Sequence, residues 1–264
     1  MALNEWIKQS LESSSMCFEN NNMTIPSFEE QVDIFKIAYE WIVFLKFDKH
    51  MCYYLKSLMA RLDNEYNKNK VLPDKLHIHR WSALCPPSDV KIVIIGQDPY
   101  PQEGRASGLA FSTSDGSIPP SLRNIYREIK RGMPYFNIPK HGSLESWASQ
   151  GVLLLNTCFT VIEGHPLTHI DFGWSKLSDY ILKTISDNVT NIVFMLWGKH
   201  AISKKGLIDH NKHLILTSGH PSPLAKFARI QFYGNNHFFE ANTYLMNNGK
   251  SPINWNSITS HQNT

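Results

Sequence analysis

Lys91-Ile92-Val93-Ile94-Ile95-Gly96-Gln97-Asp98-Pro99-Tyr100-Pro101 begins as a short β-branched run and breaks abruptly into a glycine, polar side chains and two prolines. Such a run, bounded by turn formers, is the pattern of a strand buried on both faces. Three more stretches repeat it: residues 151–156 (GVLLLN), 191–198 (NIVFMLWG) and 213–220 (HLILTSGH). Helical patterns lie between them. Leu122, Ile125, Tyr126 and Ile129 follow Pro119-Pro120-Ser121, and Trp174, Leu177, Tyr180, Ile181 and Ile185 recur at the same helical spacing. Strand-helix alternation predicts an α/β fold, with a central four-stranded, mainly parallel sheet flanked by helices on both faces.

In such sheets ligands bind beyond the carboxyl ends of the strands, where loops and helix N-termini converge. All four runs end there in polar or glycine-containing segments: Gln97-Asp98, Asn156, Gly198-Lys199 and His220. The expected site therefore holds a carboxylate, an amide and an imidazole. Each motif has a plainer reading beside it. Asp98-Pro99-Tyr100 could be a simple turn, Asn156 a cap, and Leu224 in His220-Pro221-Ser222-Pro223-Leu224 an apolar residue tucked into the core of a proline-braced turn.

Upstream, residues 28–69 read as helical, with Ile34, Ile37, Trp41, Phe44 and Leu45 spaced to make one buried face. A chain of 264 residues suffices for one sizeable core, and no Pro/Gly/Ser-rich linker divides it. One domain over residues 1–264 is expected, residues 1–27 forming a variable N-terminal segment.

Composition narrows the function classes. With 42% hydrophobic residues, and charges breaking every apolar run short of membrane-spanning length, the chain reads as soluble and globular. The opening Met1-Ala2-Leu3-Asn4-Glu5-Trp6 lacks a basic stretch followed by an apolar core, so an intracellular protein is expected. Four scattered cysteines argue for reduced thiols rather than a disulfide framework or a zinc-cysteine site. His77/His79 and His210/His213 have no accompanying carboxylate or thiol set, so no metal is expected. The net charge of +3 permits nucleic-acid binding without demanding it.

Taken together, GQDPYP, GLAFS (108–112), IPPS (118–121), GVLLLN, LWGKHAISKKG (196–206) and HPSPL resemble the uracil-DNA glycosylases that excise uracil from single- and double-stranded DNA. The likeness runs from about Trp81 to Trp255, and the N-terminal region contributes little to it. It implies a monofunctional DNA N-glycosylase that flips uracil out of the helix and hydrolyses the N-glycosidic bond, leaving an abasic site and free uracil, for base excision repair.

The resemblance also assigns roles. Asp98 is expected to stabilise the sugar cation and orient the attacking water, and His220 to donate a hydrogen bond to uracil O2 as it becomes an anion. Phe111 stacks on the base, Asn156 reads O4 and N3-H, Tyr100 excludes the thymine methyl, and the backbone at Gln97 adds donors. Pro119, Pro120, Ser121, Gly198, Lys199 and Ser222 resemble phosphate-pinching loops, and Leu224 the wedge that enters the stack where the base has left. No cofactor is implied. The implied partners are uracil-containing DNA, a proteinaceous glycosylase inhibitor or replication proteins; the molecule is expected to be a monomer with no membrane contact, resident in the nucleus, or the host nucleus for a viral member.

Three departures from the family pattern stand out. Pro101 occupies a position that is often His and helps hold the water, and Gly198-Lys199 replaces a common Gly-Ser pair. Ala228 stands where Arg is usual, with Arg229 next and a somewhat longer segment before Phe232-Tyr233-Gly234, a variation that resembles viral members. Arg229 is expected to take the displaced DNA contact. Two other classes compete with the glycosylase reading: a DNA-binding accessory module with catalysis lost, and a nucleosidase acting on free nucleosides. Retention of Asp98, Asn156 and His220 argues against the first, and Leu224 with its phosphate loops against the second.

Overall fold

The computed structural model describes residues 24–225 and 231–259. In chain order these form α1 (Phe28–Phe35), α2 (Tyr39–Leu45), α3 (Lys49–Lys68), β1 (Val71–Leu72), α4 (Arg80–Leu84), β2 (Ile92–Gly96), α5 (Pro120–Gly132), α6 (Glu145–Ala148), β3 (Val152–Asn156), β4 (Val161–Ile162), α7 (Trp174–Asn188), β5 (Val193–Trp197), α8 (Gly198–Ile202), β6 (Leu214–Ser218) and α9 (His237–Asn247). Each of the four apolar runs has become a five-residue strand. They pair in the order β3-β2-β5-β6, and every pairing is parallel. All residues of β2, β3 and β5 are buried, whereas β6 at the sheet edge alternates between half-buried and buried positions.

The helices flank this sheet, and five tryptophans (Trp41, Trp81, Trp147, Trp174 and Trp197) are fully enclosed in the core. Buried indole N–H groups need acceptors. Trp41 donates to the Cys85 carbonyl at 2.8 Å and Trp147 to the Trp255 carbonyl at 3.0 Å. A small antiparallel pair, β1 with β4, lies outside the main sheet and was not anticipated from the sequence.

The segment 28–69, expected to be helical, forms three helices in succession. Lys36 (φ 57°) and Lys46 (φ 48°) adopt the left-handed conformation at the C-caps of α1 and α2, and their N–H groups return to the carbonyls of Val32 and Ile42. The chain restarts on side-chain caps: Ser27 and Glu30 form a capping box before α1, and Asp48 accepts from the Met51 N–H at 2.7 Å before α3.

The strand order also fixes where a ligand can sit. From β2 the chain crosses to β3 on one side, whereas β5 pairs on the other side of β2 and leads on to β6. Loops leaving β2 and β5 thus part in opposite directions and open a crevice at the carboxyl end of the sheet.

Candidate active site

β2 ends at Gly96 directly opposite Asn156, the last residue of β3. A Cβ on Gly96 would lie 2.2 Å from Asn156 Oδ1 and 2.8 Å from Ala110 Cβ, so only glycine leaves room for the amide. Asn156 is 6% exposed, and among the described residues its amide has no hydrogen-bond partner. A buried amide without protein partners keeps both its donor and its acceptor for a ligand.

Beyond Gly96 the chain is stitched to the segment that follows β3. The Gln97 carbonyl accepts from the Cys158 N–H (2.8 Å) and the Thr157 hydroxyl (3.1 Å), so the backbone of Gln97 can offer a base only its N–H. Asp98 Oδ2 accepts from the Leu167 N–H at 2.8 Å, and Gly164 N–H donates to the Pro101 carbonyl at 2.7 Å. Leu167 reaches Asp98 from a left-handed conformation, φ 65°. A non-glycine residue held there stores about 1–3 kcal/mol of strain, a cost that concentrates where geometry is functional. Burial pushes the Asp98 carboxyl up from its ordinary value, opposed by the Leu167 N–H, its own N–H and the nearby His200.

His200 lay within the LWGKHAISKKG run without an assigned role. Its Nε2 is 2.7 Å from the Thr157 hydroxyl. The same hydroxyl lies 3.1 Å from the Gln97 carbonyl, and with its one proton given there the imidazole is the donor in the His200 pair. His200 thereby braces, through Thr157, the carbonyl next to Asp98.

A narrow cleft is lined by Asp98, Tyr100, Phe111 and Asn156, together with residues of the 106–112 loop. Phe111 also holds a left-handed conformation (φ 64°), its carbonyl accepting from the Tyr100 hydroxyl at 3.3 Å. Its ring makes tilted contacts with Trp197 and His220, with centroid separations of 5.7 and 6.0 Å. Four of the sequence-expected residues thus share one cleft; Gln97 and His220 are not among its lining residues, and His220 contacts the Phe111 ring. Asp98 and His220 follow β2 and β6, strands that stand roughly 10 Å apart with β5 between them.

The protonation of His220 follows from its contacts. Ser222 N–H donates to His220 Nδ1 at 3.0 Å, so Nδ1 carries no proton and the neutral ring presents Nε2–H. Burial lowers its pKa, which reinforces the neutral form. Gly198 (φ 85°) abuts this ring: a Cβ there would stand 2.8 Å from His220 Cβ.

The residues expected to touch DNA cluster around this edge. Pro119 is the N-cap of α5, with Pro120 and Ser121 in its first turn. Lys199 in the first turn of α8 is exposed, and Ser222 is half-buried. Leu224, in the short 3-10 turn Pro223–Ala225, is 92% exposed, which removes the core-packing alternative for that side chain. Its N–H is tethered to Ser222 Oγ at 3.3 Å. Arg229 lies outside the described residues.

Comparison with known proteins gives a consistent picture. A model of the Uracil DNA glycosylase superfamily matches residues 83–245. The uracil-DNA glycosylase of Human herpesvirus 6A (strain Uganda-1102) is 45% identical over 259 residues, 98% of this chain and 99% of that protein. Likeness therefore extends well beyond the expected stretch between Trp81 and Trp255. The crystal structure of mimivirus uracil-DNA glycosylase superposes with a TM-score of 0.75 at 28% identity, covering 90% of this chain and 96% of that one. A mimivirus UNG variant in complex with UGI superposes with a TM-score of 0.77 at 28% identity, covering 89% and 97%.

Proposed function

The chain belongs to the uracil-DNA glycosylase superfamily, and we propose that the side chains at the carboxyl end of its sheet divide that family's chemistry among them. The activity is that of a monofunctional DNA N-glycosylase: uracil is flipped out of DNA, its N-glycosidic bond is hydrolysed, and free uracil and an abasic site result. A base inside a duplex cannot be reached by any of these groups, so extrusion precedes chemistry at a cost of a few kcal/mol.

In our reading the flipped uracil lies on the Phe111 ring. Asn156 donates to O4 and accepts from N3-H, a pairing that cytosine reverses. The Tyr100 ring stands against C5, where the methyl of thymine would overlap it. His220 offers Nε2–H to O2, because its Nδ1 is already committed to Ser222.

Bond cleavage leaves positive charge on the deoxyribose and negative charge on the departing base. Asp98, fixed by Leu167, meets the first and orients the water; His220 and the Gln97 N–H meet the second. Preset charges of the right sign lower the barrier without reorganisation, and one such donor is worth about 10²–10³ in rate. With Pro101 in place of an imidazole, the water rests on Asp98 and neighbouring backbone groups. Pro119, Pro120, Ser121, Gly198, Lys199 and Ser222 grip phosphates, Leu224 fills the gap in the stack, and Arg229 takes the displaced DNA contact.

We further infer a monomer working in the nucleus, the host nucleus in an infected cell, and open to a proteinaceous inhibitor of the kind bound to its mimivirus counterpart. The single observation that carries the site assignment is the shared cleft of Asp98, Tyr100, Phe111 and Asn156, with the His220 ring packed against Phe111. The test is release of free uracil from a uracil-containing oligonucleotide by the full chain, and its loss in His220→Leu with DNA affinity retained. Equal losses of affinity and turnover would make His220 a binding residue instead.

A further inference from the structure

Three side chains on one face of α5 reach over to the chain that carries Leu224. Asn124 Nδ2 donates to the Pro221 carbonyl at 2.8 Å, just before the wedge turn. Glu128 accepts from the Gly234 N–H (2.7 Å) and the Asn236 N–H (2.9 Å), where the chain returns from it. Arg131 grips both Glu128 oxygens, its closest contact being 2.7 Å, and its guanidinium lies 5.9 Å from the centre of the exposed Tyr233 ring.

Positions 124, 128 and 131 fall at i, i+4 and i+7, one stripe of a helix. The two feet of the wedge loop are therefore anchored about 6 Å apart along the α5 axis, four residues of helical rise. Glu128 is 1% exposed, and five polar contacts, two of them to backbone N–H groups, converge on it. Gly234 (φ 90°) and Asn236 (φ 59°), the residues Glu128 holds, are both left-handed, so this return path has little local preference of its own. The same helix carries Pro119-Pro120-Ser121 at its start.

We propose that Asn124 and Glu128 are positioning residues that hold Pro221, just before the Leu224 turn, and the Gly234–Asn236 return in place before DNA arrives, and that α5 thereby couples the Leu224 turn to the phosphate grip at its own N-terminus. The idea rests on Leu224 being the wedge. A fully exposed apolar side chain gains nothing from the protein around it, so its reach into a base stack depends on how the loop's ends are held. Extruding a base costs least from a single strand, so a wedge matters most for uracil in a duplex.

The test compares kcat/KM for uracil release from a single-stranded oligonucleotide and from a U·A duplex. Asn124→Ala and Glu128→Gln should each lose about tenfold or more on the duplex and less than about threefold on the single strand, as should Leu224→Ala. Adding either substitution to Leu224→Ala should cost no further duplex activity, because the clamp acts only through the wedge. Equal losses on both substrates, or losses that multiply with Leu224→Ala, would mean the stripe merely supports the fold and would overturn the proposal. Should Glu128→Gln fold poorly, Asn124→Ala decides alone, since it removes one bond at a half-buried site. A duplex-specific loss in Leu224→Ala with none in the α5 variants would sink the clamp while sparing the wedge; no such loss in Leu224→Ala would sink both.

Discussion

Gly96→Ala is the smallest change that tests whether the reading of the base depends on a fixed amide. Gly96 has no left-handed backbone, so alanine is conformationally acceptable and the effect is one of contact alone. The new methyl would lie 2.2 Å from Asn156 Oδ1, which must retreat by roughly 1 Å to reach ordinary separation. Ala110 Cβ, at 2.8 Å, blocks the methyl's other way out. Overpacking a core costs about 1–3 kcal/mol, and at about 2–4 °C per kcal/mol the variant should melt several degrees lower but remain folded. A displacement of about 1 Å in a positioning group costs on the order of a hundredfold in rate. Single-turnover release of uracil from a single-stranded oligonucleotide, beside a thermal melt, reads both quantities. Turnover within about threefold of the parent in a folded Gly96→Ala variant would refute the claim that Asn156 acts from a rigid position.

Asp98→Asn should abolish uracil release yet raise the melting temperature. Burial lifts the Asp98 pKa in the folded chain, so the stability due to its protonated form is complete below the unfolded value and is lost as pH rises through the folded one. Turnover should climb across that same pH interval, because it needs the anion; a rate profile flat down through the ordinary carboxylate range would assign the chemistry to another group. Tyr100→Ala should admit thymine while still cleaving uracil, and continued blindness to thymine in a duplex containing T·A pairs would end the steric account. Leu224→Ala should leave the melting temperature unchanged within about 0.5 kcal/mol of stability, since the side chain is 92% exposed; a substantial drop would show that it packs against the protein.

The sheet was legible because buried parallel strands leave an unmistakable composition: β-branched and leucine runs ending at Gly96, Asn156, Gly198 and Gly219-His220. Those same endings exposed the carboxylate, the amide and the imidazole, since polar residues at strand termini have few other uses in such a fold. The breaks in the opening helical segment were hidden because lysine, not glycine, occupies the two left-handed caps at Lys36 and Lys46. Supporting contacts were invisible for a different reason. Leu167 serves Asp98 through a backbone N–H that any residue possesses, 69 positions away. Glu128 looked like an ordinary helical charge, and only the fold brings it to Gly234, 106 positions on. His200 sat inside a recognised motif, but its link to Gln97 passes through Thr157, which no spacing predicts.

The order of strands also times the appearance of activity during synthesis. The carboxylate loop leaves the ribosome with β2, but its counterpart arrives only after β6 pairs with β5 at the sheet's edge. At about 5–20 residues per second, on the order of ten seconds separates the two. A nascent chain thus carries a carboxylate with no opposing dipole, and in our reading termination before His220 leaves Asp98 without the donor that meets the departing base.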